Sequence, residues 1–262
     1  MEPDQYERMA ELQDHHWWFA AKRRIVDALI RKHATTPTPG QFSESWVLDA
    51  GCGTGSMLPV MRQWGRVVGA DMCRQALRYA SHGSLIEADI LNLPFADRSF
   101  RLLGCFDVLY HRRVEDIEAV LLELHRVCHQ NGVLVITDSA LPVLRSSHDA
   151  ALHGARRFRL RVLKLLLEDA GFQVIYGSYF HTLLFPVAAI VRLIKRVVEG
   201  TPDLSGLSCD KNVTPHSDLR SFPRWVNSVL SAVYEVEAAL LRRARLPIGL
   251  SVVVIARPIG IV

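Results

Sequence analysis

One stretch constrains this chain more than any other: Val47-Leu48-Asp49-Ala50-Gly51-Cys52-Gly53-Thr54-Gly55. The apolar run from Trp46 to Leu48 reads as a buried strand with an acid, Asp49, at its end. Glycines at alternate positions then form a turn, and the apolar periodicity from Met57 to Trp64 reads as a helix. Glycine is used where a backbone bends sharply and a ligand approaches it closely. A turn that opens a helix is also expected to leave free N–H groups facing the same crevice. The spacing is G-x-G-x-G, with Ser56 standing where the third glycine of a G-x-G-x-x-G dinucleotide fingerprint would fall. A bare turn of glycines with no ligand is the alternative.

The next two strands repeat this strand-then-acid arrangement. Arg66 to Asp71 and Ser84 to Asp89 each read as a strand ending in an acid, and Leu102 to Leu109 as a fourth strand. Val114 to His129 carries one apolar stripe of helical period, closed by Asn131-Gly132, and Gly132 to Thr137 is an almost wholly apolar strand of the kind found inside parallel sheets. A helix over Leu160 to Ala170 and a strand over Phe172 to Tyr176 come after it, then a long helix from Trp225 to Arg245 and a last strand from Leu250 to Ala256. Strands alternating with helices give an α/β fold, Rossmann-like, with a mostly parallel sheet covered on both faces. Ligands bind such sheets at the carboxyl ends of the strands. Asp49, Gly51, Asp71, Asp89 and Phe106 all fall at those ends. Asp71 would reach a ribose, whose two hydroxyls one carboxylate can accept from together.

Asp49-Ala-Gly-Cys-Gly-Thr-Gly55 resembles the first motif of class I S-adenosylmethionine-dependent methyltransferases, and Ala88 to Asp97 resembles the third. The resemblance implies a seven-stranded sheet whose last strand runs antiparallel between the fifth and sixth. It implies S-adenosylmethionine as cofactor and S-adenosylhomocysteine as its product. By the same resemblance the cofactor would meet Asp49, Gly51, Cys52, Gly53 and Gly55. Asp71 would take the ribose, Met72 the adenine face, Asp89 the adenine amino group with the Ile90 backbone beside it, and Phe106 the methionine part. Where this family commonly has Leu-Glu-His, the chain has Leu109-Tyr110-His111, so no role for the Glu is carried over.

Residues Tyr6 to Lys32 read as helix with an aromatic knot, His15-His16-Trp17-Trp18-Phe19, followed by Lys22, Arg23 and Arg24. This resembles the N-terminal segment of a bacterial subset of the family. It is either a helix packed on the core or a lid over the cofactor. In the wider family a basic side chain from this helix meets the methionine carboxylate; Lys22 and Arg23 are both candidates, and Arg23 is preferred for its bidentate fork. Trp18, Phe19 and Tyr110 are candidate acceptor contacts.

The polar stretch after the fifth strand, Ser146 to Phe158, leaves a strand end that faces the site. Any general base would come from His111, His148 or His153, because a neutral imidazole can take a proton from a hydroxyl or an amine. His111 is equally readable as an orienting or structural residue. Arg156 and Arg157 would bind an anionic group of the acceptor, or else be solvated charges at a helix start.

The chain divides into an N-terminal helical lid (1–40), a cofactor-binding core (41–181), a helical cap (182–247) and the final core strand (248–262), all one domain. The cap would cover the acceptor, form a homodimer surface or touch anionic lipid, with ordinary packing on the core as the leading alternative. A net charge of +4 and no basic or aromatic nucleic-acid module argue against a nucleic-acid partner. Five scattered cysteines without a C-x-x-C give no metal site and suit a cytoplasmic location. No apolar run is long enough to cross a bilayer, which takes about 20 residues. The expected activity is methyl transfer to a small, lipophilic or natural-product-like acceptor, with room for an anionic group. The alternatives are a non-catalytic S-adenosylmethionine-binding regulator and, against the glycine spacing, an NAD-dependent dehydrogenase.

Overall fold

The computed structural model describes residues 3–33, 45–144, 149, 153–190 and 222–259. Two helices lead, α1 (Pro3–Gln13) and α2 (Trp17–His33). Seven strands come next: β1 (Trp46–Ala50), β2 (Arg66–Asp71), β3 (Ser84–Glu87), β4 (Phe100–Phe106), β5 (Cys128–Ser139), β6 (Phe172–Phe180) and β7 (Ser251–Pro258). Between them lie α3 (Leu58–Met61), α4 (Arg74–Leu77), α5 (Ile117–Val127), α6 (Leu160–Asp169) and α7 (Arg224–Leu241). The strands form one sheet in the order β3-β2-β1-β4-β5-β7-β6. β1 to β5 are parallel, and β7 runs antiparallel between β5 and β6. This is the Rossmann-like sheet, last strand reversed, that the sequence leads one to expect.

The two-residue period of the strands divides the core into two layers. Leu48, Leu103, Leu134, Ile136 and Val254 point to one face, where Val120, Leu121 and Leu124 of α5 and Leu163 and Leu167 of α6 meet them. Val47, Leu102, Val133, Val135 and Ile255 point to the other, against Ile25, Val26 and Leu29 of α2 and Tyr234, Ala238 and Leu241 of α7. The N-terminal segment and the cap helix therefore share one side of the sheet, and both reach its carboxyl edge.

Several local expectations are corrected. The single helix expected from Tyr6 to Lys32 breaks at Asp14-His15-His16, which lets α1 turn across the strand ends. The helix expected over Met57 to Trp64 is four α-residues with Pro59 in the first turn, then a 3-10 turn, Arg62–Trp64. Helix α5 begins later than expected because Asp116 caps it, its Oδ1 accepting from the Ala119 N–H at 2.9 Å. It ends at Val127, since Cys128 is already extended, and Asn131 and Gly132 lie inside β5 instead of closing the helix. Strand β4 stops at Phe106, where Asp107 turns left-handed at φ +57°.

Candidate active site: a cavity along the carboxyl edge of the sheet

The glycine turn is closed on itself. The N–H groups of Gly51 and Cys52 both donate to the Ala70 carbonyl, at 2.7 and 3.0 Å, and the Gly55 N–H donates to Cys52 O at 2.9 Å. The Gly53 N–H donates to Asp71 Oδ2 at 2.8 Å. The N–H groups of Gly51, Cys52, Gly53 and Gly55, which were expected to be free, are thus already used, and no helix dipole points into the turn, because α3 starts at Leu58 and has four residues. Such a turn can bring backbone against a ligand without offering an anion its donors, which disfavours a pyrophosphate. Gly51 has φ +80°, and a Cβ there would lie 2.4 Å from Val108 Cγ2. At Gly53, φ +53°, a Cβ would meet nothing within 4 Å.

Asp71 ends β2 with its carboxylate fixed on both sides. Oδ2 takes the Gly53 N–H and Oδ1 the Cys73 N–H, each at 2.8 Å. Burial raises its pKa against these two hydrogen bonds. Asp49, at the end of β1, is fully buried; burial first and the nearby Asp71 charge second push its carboxyl up to about 8, while Lys22 opposes them. Its Oδ1 has no hydrogen-bond partner among the described residues.

A cavity of about 600 Å³ runs from this turn along the strand ends. Gly51, Cys52, Gly53, Asp71, Met72, Asp89, Ile90 and Phe106 line one end, and Trp18, Phe19, Tyr110, His111 and Arg157 line it farther along. Asp49 and Gly55 stand behind that lining. Asp89 is exposed, and its Oδ1 accepts from the Leu91 N–H at 3.0 Å.

Some candidates are placed elsewhere than expected. Arg23 spends its guanidinium on the Gln13 and Ser56 carbonyls, at 2.9 and 3.3 Å, away from the cavity. Lys22 is the basic residue in the wall: it is buried and paired with Asp107. Arg156 donates to the Val114 and Leu109 carbonyls, at 2.6 and 3.4 Å, so it stitches loops and does not reach an acceptor. Arg157 lines the cavity but holds Asp149 in a buried two-pronged pair, Nε to Oδ1 at 2.9 Å and Nη2 to Oδ2 at 3.0 Å. His111 faces the cavity with its pKa lowered to about 4, chiefly by burial, and its Nδ1 accepts from the Arg113 N–H. His153 sits behind it, ring centroids 5.8 Å apart, outside the lining. His148 lies outside the described residues.

Sequence reasoning passed over three wall residues: His16, Lys22 as the preferred cation, and Asp107. For Lys22 a signal existed. Phe19, Lys22, Val26 and Leu29 share one helical stripe, and the apolar members of that stripe are buried. His16 stands at the helix break, its ring 5.6 Å from that of Phe222 and 6.2 Å from that of Phe19. Its Nδ1 accepts from the Trp18 N–H at 3.2 Å. Trp18 in turn stacks on His181 at 3.8 Å. Among the described residues no helix is long and apolar enough to cross a membrane.

Comparison with known proteins agrees with this geometry. Residues 48–136 match the family model described as a methyltransferase domain. A malonyl-[acyl-carrier protein] O-methyltransferase from Pectobacterium atrosepticum is 32% identical over 212 residues, covering 73% of this chain and 73% of that one. A protein of the same name from Hamiltonella defensa is 37% identical over 111 residues, 40% of this chain, and the match spans 42% of that relative's length. Among solved structures, the Haloferax volcanii complex between the Trm112 methyltransferase activator and a methyltransferase superposes with a TM-score of 0.60 at 17% identity, covering 99% of this chain and 96% of that one. The glycine turn with its fixed Asp71, the reversed seventh strand and these matches lead to one conclusion: the chain belongs to the class I S-adenosylmethionine-dependent methyltransferases.

Proposed function

We propose that the protein moves a methyl group from S-adenosylmethionine to a small lipophilic acceptor, with the two reactants end to end in one cavity. The observation that carries this reading is the continuity of that cavity. It runs from Asp71 and the glycine turn, past Lys22 and Asp107, to an apolar end at Trp18, Leu184 and Leu230.

The residues fit the cofactor on three counts. The missing Cβ of Gly53 leaves open space beside the turn. Asp71 keeps accepting capacity on both oxygens after taking two N–H groups, enough for two ribose hydroxyls. Asp49 is a buried carboxyl with an unused oxygen, suited to a cationic group nearby. In this reading Met72 and Ile90 flank the adenine, Asp89 accepts from its amino group, and Lys22, held by Asp107, takes the methionine carboxylate. When bound, the cofactor supplies both the methyl group and its own leaving group. The chain's work is then to align the acceptor and keep water out. His16 stands at the acceptor end with its Nδ1 accepting the Trp18 N–H; in that tautomer Nε2 carries the proton, so the ring is set to donate a hydrogen bond and not to act as a base. His111 is no better placed as a base: its Nδ1 takes the Arg113 N–H, and burial pushes its pKa down to about 4.

A carboxylate acceptor on an acyl chain, suggested by the names of the relatives, is the second reading and would need no base. Calorimetric titration with S-adenosylmethionine and, separately, NAD is the test of the cofactor. Release of S-adenosylhomocysteine with medium-chain alcohols, phenols and carboxylates is the test of the acceptor. Binding of S-adenosylmethionine with no turnover on any of them would favour a non-catalytic, regulatory role.

A further inference from the structure

Resting on the reading of the cavity's apolar end as the acceptor site, we infer that this site takes an uncharged acceptor and rejects a carboxylate. Among the described residues, the cations along this stretch of the wall are already matched. Lys22 is paired with Asp107. Arg157, buried, is closed by Asp149 through both prongs of its guanidinium, and its Nη1 donates to the Ala140 carbonyl at 2.9 Å. Arg113 lies with its neighbour His111 toward the nucleotide end, where its charge acts on Asp71, Tyr6 and His111. His16, the imidazole at the apolar end, is held through Nδ1, which takes the Trp18 N–H.

What remains at this end is apolar, with Trp18, Leu184, Val187, Phe222, Leu230 and Leu250, and neutral polar groups at Ser139 and Ser251. Val187 and Phe222 are also exposed, so the apolar wall continues to the surface and offers an alkyl or aryl body a path inward. An ionised group carried along that path would lose its water and meet no unmatched cation among the described residues, which is unfavourable. A neutral hydroxyl would lose little and could use the serine hydroxyls. The Asp149–Arg157 pair is the device that sets this choice: it places a guanidinium in the wall and cancels its charge.

The test compares 1-octanol with octanoate at pH 8, as ligands of the protein saturated with S-adenosylhomocysteine, which lacks the positive sulfur of the donor. We expect 1-octanol to bind at least tenfold more tightly. Octanoate binding equally well or better would overturn the inference and leave the cavity's role standing. If neither binds, the reading of the apolar end as an acceptor site fails, and the inference with it. In Asp149→Asn the guanidinium is released, and octanoate affinity should rise at least fivefold with 1-octanol unchanged. A variant that still binds S-adenosylhomocysteine but shows no gain for octanoate would overturn the role given to the pair. The wild-type comparison decides the matter even if that variant does not fold.

Discussion

The side chains of Gln13 and Thr54 hydrogen-bond each other reciprocally: the Thr54 hydroxyl donates to Gln13 Oε1 at 2.8 Å, and the Gln13 amide donates to the Thr54 carbonyl at 3.2 Å. Both residues are buried, and they join the end of α1 to the middle of the glycine turn. Arg23 strengthens the same junction by donating to Gln13 O and Ser56 O. The N-terminal segment is therefore latched to the glycine turn, which we propose meets the cofactor. Gln13→Ala should weaken S-adenosylmethionine binding by about 1–2 kcal/mol, roughly 5–30-fold in Kd, because two buried partners are lost at once. Calorimetry reads the change; an unaltered Kd would mean that the latch and the cofactor are independent.

The ribose assignment stands on Asp71, whose carboxylate is already oriented by Gly53 and Cys73. Asp71→Ala removes the acceptor and also frees the Gly53 N–H. The expected loss is about 1–3 kcal/mol of cofactor affinity, the size of one hydrogen bond to a charged group. Titration of the variant with S-adenosylhomocysteine checks it.

Asp49 predicts a pH dependence of stability. Its carboxyl is held at about 8 in the folded protein against an ordinary value of 3.8, first by burial. Between these values the folded state binds the proton and the unfolded chain does not, so this group makes stability fall as pH rises through the window. The slope is at most about 1.4 kcal/mol per pH unit. Asp49→Asn should flatten the decline of the thermal midpoint between pH 4 and 8. An identical slope in the variant would show that the carboxyl ionises normally.

The parts of this molecule legible in the sequence are those set by local pattern. Strands with an acid at or near their ends needed only the two-residue period and the glycine turn, although the third stops at Glu87 and leaves Asp89 two residues beyond it; the reversed last strand between the fifth and sixth came with the family resemblance. The cavity wall was less legible, because it is set by contacts distant in the chain. Lys22 and Arg23 are neighbours in sequence but about 100° apart around a helix, and only the packing of α2 on the sheet decides which one faces the site. Arg157 looked free for an anion, yet Asp149, inconspicuous within a polar stretch, neutralises it. The tight contacts of Arg156 with the Leu109 and Val114 carbonyls depend on a loop crossing that no local pattern encodes. Asn131-Gly132 is a helix-stop signal by composition, and pairing of β5 with β4 overrides it.

Glu237 tests how the cap shapes the acceptor wall. It is fully buried on α7, and its carboxylate accepts the N–H groups of Thr182 and Leu183 at 3.1 Å, together with that of His181. These N–H groups come from the turn that ends β6, where His181 is left-handed at φ +58°. The turn delivers His181 to its stack on Trp18 and starts the helical residues 185–190, from which Val187 and Ala188 line the cavity. On the proposed reading of the cavity, Glu237 acts on the acceptor through other residues. Glu237→Gln keeps the shape but turns an amide N–H₂ toward backbone donors, so part of the clamp is lost. The expected result is a KM for the acceptor raised about 5–30-fold, corresponding to roughly 1–2 kcal/mol, with the Kd for S-adenosylmethionine unchanged. A parallel rise in both constants would point to general loosening of the fold instead of a wall held by one carboxylate.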